Sequence, residues 1–354
     1  MPGDGIGPEV TAACIDLLDI VESHTEGLRL EYETLEAGAG LYTRTGEALP
    51  AATLEKASGA DAILLGAMGL PQIRAIDGRE ITPQLDIREA FQLYAGVRPI
   101  RTFPGLKLPL ADGRAKDLDV VLIRESTEGL FAGRNNSSIE NDDRAFGTME
   151  ITRSASERLF DFAFNLARSR NKNGRPGRVT CVDKANVLQP FYFFRQIFDE
   201  RAARFPDIAA DHCYVDAMAL NLVRQPWDYD VLVTENLFGD ILSDLGAGLM
   251  GGMGMAPSAD IGDEHAVFQP CHGSAPDIAG SGKANPTAMA LSAAMMLDWL
   301  GERHGNAAAI RAGQRLRGAI EQAFAAGNLL PFELDGTDGT AQISAAIHRA
   351  LIPN

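Results

Sequence analysis

The sequence predicts an α/β protein, and three observations carry that reading. Short β-branched runs alternate with stretches of helical period, the runs are apolar on both faces, and no internal repeat or low-complexity linker interrupts them. Strands of that kind belong to a sheet covered on both sides, and the alternation supplies the covering helices. A chain of 354 residues then makes one large or two medium domains with ample core.

Four runs read as strands: DAILLGA (61–67), DVVLIR (119–124), RVTCVD (178–183) and DVLVTE (230–235). PEVTAACIDLLDIVESH has Pro8 in a first turn and sets Val10, Cys14, Leu17, Leu18 and Val21 on one stripe of a helix. SASERLFDFAFNLARSR opens on serines and closes on arginines, as a capped helix does. In ENLFGDILSDLG (235–246), Phe238, Ile241, Leu242 and Leu245 follow the i, i+3, i+4, i+7 pattern of an apolar helix face. GRNNSSIENDDRAFGTME (133–150) is polar and aperiodic, and reads either as an exposed loop or as a protruding arm used in subunit contact.

A net charge of −16 repels phosphate backbones, so nucleic acid is excluded as a partner, and an anionic substrate needs a local cluster of arginines. Cys14, Cys181, Cys213 and Cys271 have neither disulfide nor zinc spacing, which fits a reducing cytoplasm. MPGDGIGPEV has no signal-peptide layout, and PTAMALSAAMMLDWL, broken by Asp298, is too short to span a membrane and reads as a buried helix.

Several residues could carry chemistry. Asp240 and Asp244 sit one helical turn apart among apolar neighbours with no lysine nearby, so they are either a wet face or two ligands for Mg²⁺ or Mn²⁺. Arg88, Arg98 and Arg124 each follow apolar residues; singly they are surface residues, and together they could clamp carboxylates. Lys184, just past a strand, is a solvated loop residue or a base. HGSAPDIAG (272–280) offers small residues and backbone amides for a phosphate or adenine pocket, with Asp277 able to accept ribose hydroxyls. The glycines of PGDGIGPEV resemble a dinucleotide loop only superficially, since no strand precedes them.

In order along the chain, GDGIGPEV, LYAGVRP, RESTEG, VDKANVL, VDAMAL, NLFGDILSD and HGSAPDIAG…ANPTA resemble the isocitrate/isopropylmalate dehydrogenase family, which also holds tartrate and D-malate dehydrogenases. The resemblance implies a two-domain, doubly wound α/β fold that is isopropylmalate-dehydrogenase-like and not a Rossmann fold. Residues 1–98 plus 251–354 would form a cofactor-binding domain, and 99–250 a dimerisation and metal/substrate domain with its arm at about 133–150. It implies a homodimer with shared sites and a small dicarboxylate substrate. Arg88, Arg98 and Arg124 would grip the substrate carboxylates. Asp240 and Asp244 would hold Mg²⁺ or Mn²⁺, with Asp216 and Lys184 arriving from the partner subunit and Lys184 relaying the hydroxyl proton. Ile6, His272, Gly273, Ser274, Ala275, Asp277, Ile278 and Asn285 would bind NAD; Asp277 and Ile278 match the NAD-using members.

Four features depart from the family pattern. Phe131 stands where a tyrosine usually protonates the enol, which leaves CO₂ release in question. Gln84, beside Leu85, replaces one of the leucines that grease the isopropyl pocket, which favours a small or hydroxylated C3 substituent as in tartrate or malate. Gln269 replaces a glutamate near the nicotinamide ribose, and the strand that usually precedes PGDGIGPEV is missing, so the expected start lies upstream of Met1. Two rival readings are a catalytically silent regulatory subunit and a metal-dependent hydrolase. The first is disfavoured by the retained arginines, aspartates and lysine, the second by HGSAPDI.

Overall fold

The β-branched runs become strands of one mixed sheet in the computed structural model, which describes residues 1–352. In chain order the strands are β1 (Ile63–Leu64), β2 (Ala95–Arg101), β3 (Asp119–Glu125), β4 (Ser138–Glu140), β5 (Arg144–Phe146), β6 (Arg178–Asp183), β7 (Ala209–Tyr214), β8 (Val231–Thr234), β9 (Pro257–Ile261) and β10 (Ala266–Pro270). The helices are α1 (Gly7–Ser23), α2 (Ala39–Thr45), α3 (Ala51–Ser58), α4 (Pro83–Ala90), α5 (Gly129–Ala132), α6 (Arg153–Lys172), α7 (Gln189–Ala202), α8 (Val215–Arg224), α9 (Asn236–Met250), α10 (Thr287–His304), α11 (Ala307–Ala325) and α12 (Thr340–Leu351).

Eight strands lie in the order β1-β10-β9-β2-β3-β8-β6-β7. β3, β8, β6 and β7 run parallel, while β2 is antiparallel to both β3 and β9. The buried β3, β6 and β8 explain why their sequences are apolar throughout. Of DAILLGA only Ile63–Leu64 is strand. β2, β7, β9 and β10 go beyond the four runs read from the sequence. β2 is masked by Gly96 and Pro99, and the edge strand β7 is largely exposed.

α1 buries the expected stripe of Val10, Cys14, Leu17, Leu18 and Val21 against α10 and α12. α6 starts one residue before the serines: the Thr152 side chain accepts from the Ala155 amide, so threonine is the cap. Phe160 and Phe194, with ring centroids 4.6 Å apart, join α6 to α7 above the sheet. The 133–150 segment contains a short hairpin, since β4 and β5 pair antiparallel around Asn141 and Asp142, both at φ +52°. Asn and Asp tolerate that left-handed conformation better than most residues.

One helix departs from its sequence pattern. α9 buries Asn236, Gly239, Leu242, Ser243, Gly246 and Ala247, while Ile241 is 60% exposed. The face toward the sheet is the small and polar one, for a reason that appears at the site.

Candidate active site

A cavity of about 210 Å³ opens between α4, β2, β3 and α9, and Arg88, Arg98, Arg124, Gln84, Asp240 and Asp244 all line it. All three arginines are buried. Gly96 of β2 stands opposite Arg124 on β3 and Asp260 on β9. A side chain at 96 would collide with the Ser126 hydroxyl at 2.5 Å and crowd Asp260, so glycine leaves that space to polar groups. Arg124 donates from Nε and Nη2 to Asn236 Oδ1 at 2.9 and 2.7 Å, and from Nη1 to Asp240. Its stem lies against Gly239, where any Cβ would sit 2.5 Å from Arg124 Cγ. Burial, and then the charge of Arg88, bring the Arg124 guanidinium down to about 10, still a cation at neutral pH.

Asp240 and Asp244 share one face of α9 beside this cluster. Burial, followed by the charge of Asp240, raises the Asp244 carboxyl, while Arg124 and Arg98 oppose the rise. Two carboxylates one turn apart on the same helix face, beside the cavity, suit a divalent cation. Lys184 and Asp216 do not line the cavity; they pair with each other where β6 and β7 end. The turn carrying Lys184 is anchored by buried Asp183, which accepts from Arg195 at 2.8 and 2.7 Å and from the Ala185 amide at 2.9 Å. Among the described residues, no group of three or more His, Cys, Asp or Glu side chains is gathered to hold a metal.

The cofactor candidates adjoin the same cavity through Cys271, one of its lining residues. The Ile6 amide donates to Ser274 O at 2.7 Å, and Gly5, at φ +58°, leaves no room for a Cβ against Ser274 O, so the N-terminal loop is pressed onto 272–275. Gly273 and Asp277 are exposed, Ala275 and Ile278 half-buried. Burial lowers the His272 imidazole, and its Nε2 is a buried atom with no partner. An orphaned ring nitrogen beside exposed backbone suits a bound ligand's hydroxyl or phosphate. Asn285 is committed within the chain: Nδ2 donates to Glu333 at 2.8 Å and Oδ1 accepts from the Thr287 amide at 3.0 Å.

Phe131 does line the cavity, with its ring centroid 5.2 Å from the Arg124 guanidinium carbon. The nearby hydroxyls of Ser243 and Ser258 donate to the carbonyls of Asp240 and Gln269, so neither replaces a tyrosine. Gln84 Oε1 is buried and has no partner. Two further site residues had not stood out as such in the sequence. Asn236 orients Arg124, and fully buried Asp260 holds Arg88 and Arg98. The only signal for Asp260 is an acidic residue inside an otherwise strand-like PSADI.

Known proteins share both the sequence and the shape of this chain. The model of the isocitrate/isopropylmalate dehydrogenase family matches residues 1–350. A 3-isopropylmalate/3-methylmalate dehydrogenase of Methanocaldococcus jannaschii is 43% identical over 346 residues, spanning 98% of this chain and 96% of that protein. A homoisocitrate dehydrogenase of the same organism is 44% identical over 309 residues, 85% of this chain and 84% of that one. The crystal structure of isocitrate dehydrogenase from Methylococcus capsulatus superposes with a TM-score of 0.87 at 38% identity, covering 99% and 97% of the two chains. The chain belongs to the isocitrate/isopropylmalate dehydrogenase family and is a hydroxyacid dehydrogenase. The family in general depends on NAD and a divalent metal, acts on small molecules and is typically dimeric. Among the described residues, no helix is long and apolar enough to cross a membrane.

Proposed function

We propose that this chain oxidises a 2-hydroxy diacid with a malate core whose C3 carries a small or hydroxylated substituent, as in D-malate or tartrate. The observation that carries the reading is Gln84 Oε1, a buried acceptor without a partner inside the arginine-lined cavity. An isopropyl group leaves that acceptor unpaired, whereas a C3 hydroxyl satisfies it directly and an unsubstituted C3, as in D-malate, leaves room for a water to do so. Gln84 lies one turn before Arg88 on α4, so a carboxylate held by Arg88 places the rest of the diacid within reach of Gln84.

In this reading Asp240 and Asp244, with Asp216 of a second copy, hold Mg²⁺ or Mn²⁺, and Ile6, His272–Ile278 and Asn285 hold NAD. When bound, the metal supplies Lewis acidity at the substrate hydroxyl and NAD⁺ the hydride acceptor. The arginines hold the two carboxylates, and Lys184 Nζ of the second copy relays the hydroxyl proton. Phe131 packs over Arg124 and has no proton to give. If the oxidised product loses CO₂, its enol must take a proton from water. Exposed apolar residues on α8 and α9, with Leu220 53%, Val223 50% and Ile241 60% exposed, support a homodimer that covers them. The division into a first domain of both chain ends and a second of 99–250 follows the same reading.

Initial rates with NAD⁺ and Mn²⁺ on tartrate, D-malate and 3-isopropylmalate, with NADH and CO₂ followed together, test it. A strong kcat/KM preference for 3-isopropylmalate would refute the substrate assignment. No NADH with any of these acids would instead favour a silent subunit.

A further inference from the structure

We propose that Asp260 is a positioning residue that sets the charge of the arginine clamp, so that the site takes a dicarboxylate and rejects a tricarboxylate. Asp260 lies on β9 next to its last residue, fully buried behind the cavity. Its Oδ2 accepts from Arg88 Nε at 2.9 Å and from Gln269 Nε2 at 2.8 Å. Its Oδ1 accepts from Arg98 Nη2 at 2.9 Å and more weakly from the Ser126 hydroxyl at 3.4 Å. One carboxylate therefore fixes the planes of two guanidinium groups, and Arg98 is held further by the Ala259 carbonyl at 2.9 Å. Arg88 keeps both terminal nitrogens without a partner among the described residues, so its fork is left for a substrate carboxylate.

The charge count gives this geometry its consequence. Three arginines face Asp240 and Asp244 in the cavity, and Asp260 behind them brings the cluster to neutrality. Burial alone would raise the Asp260 carboxyl, but Arg88 and Arg98 outweigh it and hold the group at about 2, so the negative charge is present at every working pH. Together with the divalent cation of the proposed function, on which this inference rests, the cluster matches a substrate dianion. A third substrate carboxylate would enter with no counter-charge left. Without Asp260 the clamp carries one more positive charge and two arginines that are less firmly aimed. That change favours the trianion over the dianion and lowers efficiency on the dianion.

The test compares wild type with Asp260→Asn, the smaller neutral Asp260→Ser, and the double variant Asp260→Asn/Gln269→Glu, which returns a carboxylate one hydrogen bond away. The probes are the diacid the wild type oxidises best and isocitrate, a triacid. kcat/KM is measured for each, together with calorimetric binding in the presence of Mn²⁺ and absence of NAD⁺. The neutral variants should raise the triacid-to-diacid ratio by about tenfold or more in both readouts, as expected for removing a unit charge near the site, and the double variant should reverse most of the change. A ratio unchanged within about twofold in every folded variant would overturn the inference, because a role in stability alone lowers both substrates equally. So would a failure of both neutral variants to fold while the double variant folds. Wild-type activity on the diacids reports separately on the proposed function, since it does not depend on how Asp260 variants behave.

Discussion

Gln84→Leu should move the enzyme toward 3-isopropylmalate, and the size of the shift can be worked from the site. Gln84 Oε1 is buried without a partner in a cavity of about 210 Å³. A hydroxyl donated to it by the substrate is worth about 1 kcal/mol net. Leucine removes that bond and presents apolar surface to the three carbons of an isopropyl group, each worth about 0.8 kcal/mol when buried. Discounted for a cavity that is only partly closed, the two effects sum to about 3 kcal/mol. That is roughly a hundredfold change in the ratio of kcat/KM for 3-isopropylmalate over tartrate. Both constants come from NADH absorbance with saturating NAD⁺ and Mn²⁺. A ratio that moves less than about threefold would refute the reasoning, because Gln84 could not then face the C3 substituent.

Phe131→Tyr should raise CO₂ released per NADH toward one and speed any decarboxylating turnover by about a hundredfold, the low end for a general acid. Brisk one-to-one release by the wild type, unimproved in the variant, contradicts the reading of Phe131 as a missing donor. Lys184→Met and Asp240→Asn should each be inactive, yet unfolding and refolding them together should restore about a quarter of wild-type activity if sites are shared, because half the dimers carry one intact site. Silence of the mixture at wild-type-like dimer content removes Lys184 from the shared site. Glu125 is buried, and burial pushes its carboxyl from 4.5 to about 7 against the hydrogen bonds of Thr127 and Glu128. Its protonated form is favoured in the folded state, so stability is full below the unfolded value and falls as pH rises through the folded one, by about 3 kcal/mol in all. Urea midpoints at about pH 4 and about pH 8 should therefore show less pH dependence in Glu125→Gln than in wild type, and equal slopes would contradict the raised carboxyl.

The parts of the fold legible in the sequence were those whose side chains report burial directly. β3, β6 and β8 are apolar because both faces are covered, and α1 carries its stripe because it packs on α10 and α12. Two of the strands that escaped notice, β2 and β9, are shaped by something other than burial. Gly96 and Pro99 serve the site and the edge of β2, and β9 carries Asp260 where a strand pattern asks for an apolar residue. The cavity's arginines and aspartates stood out as residue types, but only the family resemblance implied that they converge, because convergence depends on strand order rather than on any local pattern. Asn236 and Asp260 bind no expected ligand; they hold the arginines, and a residue that acts through a neighbour has no spacing of its own to detect.

The misread face of α9 shows why the site is where it is. In an antiparallel sheet, residues directly opposite share a face, and so do residues two apart on one strand. Gly96, Arg98 and Ile100 on β2 therefore share a face with Arg124 on β3 and Asp260 on β9. α9 lies across that face. It can approach only because Gly239 meets the Arg124 stem and Gly246 meets Ile100, where any Cβ would stand 2.5 and 2.4 Å from their side chains. Glycine inside a helix costs about 1 kcal/mol relative to alanine. Two of them a heptad apart are tolerated because the close approach sets Asp240 and Asp244 beside the three arginines. The larger residue Ile241 is then left at the surface, and Leu245 stays half-buried. The period of NLFGDILSD thus leaves Ile241 as exposed apolar surface, while Gly239 and Gly246 of α9 record the close approach to the arginine-lined cavity.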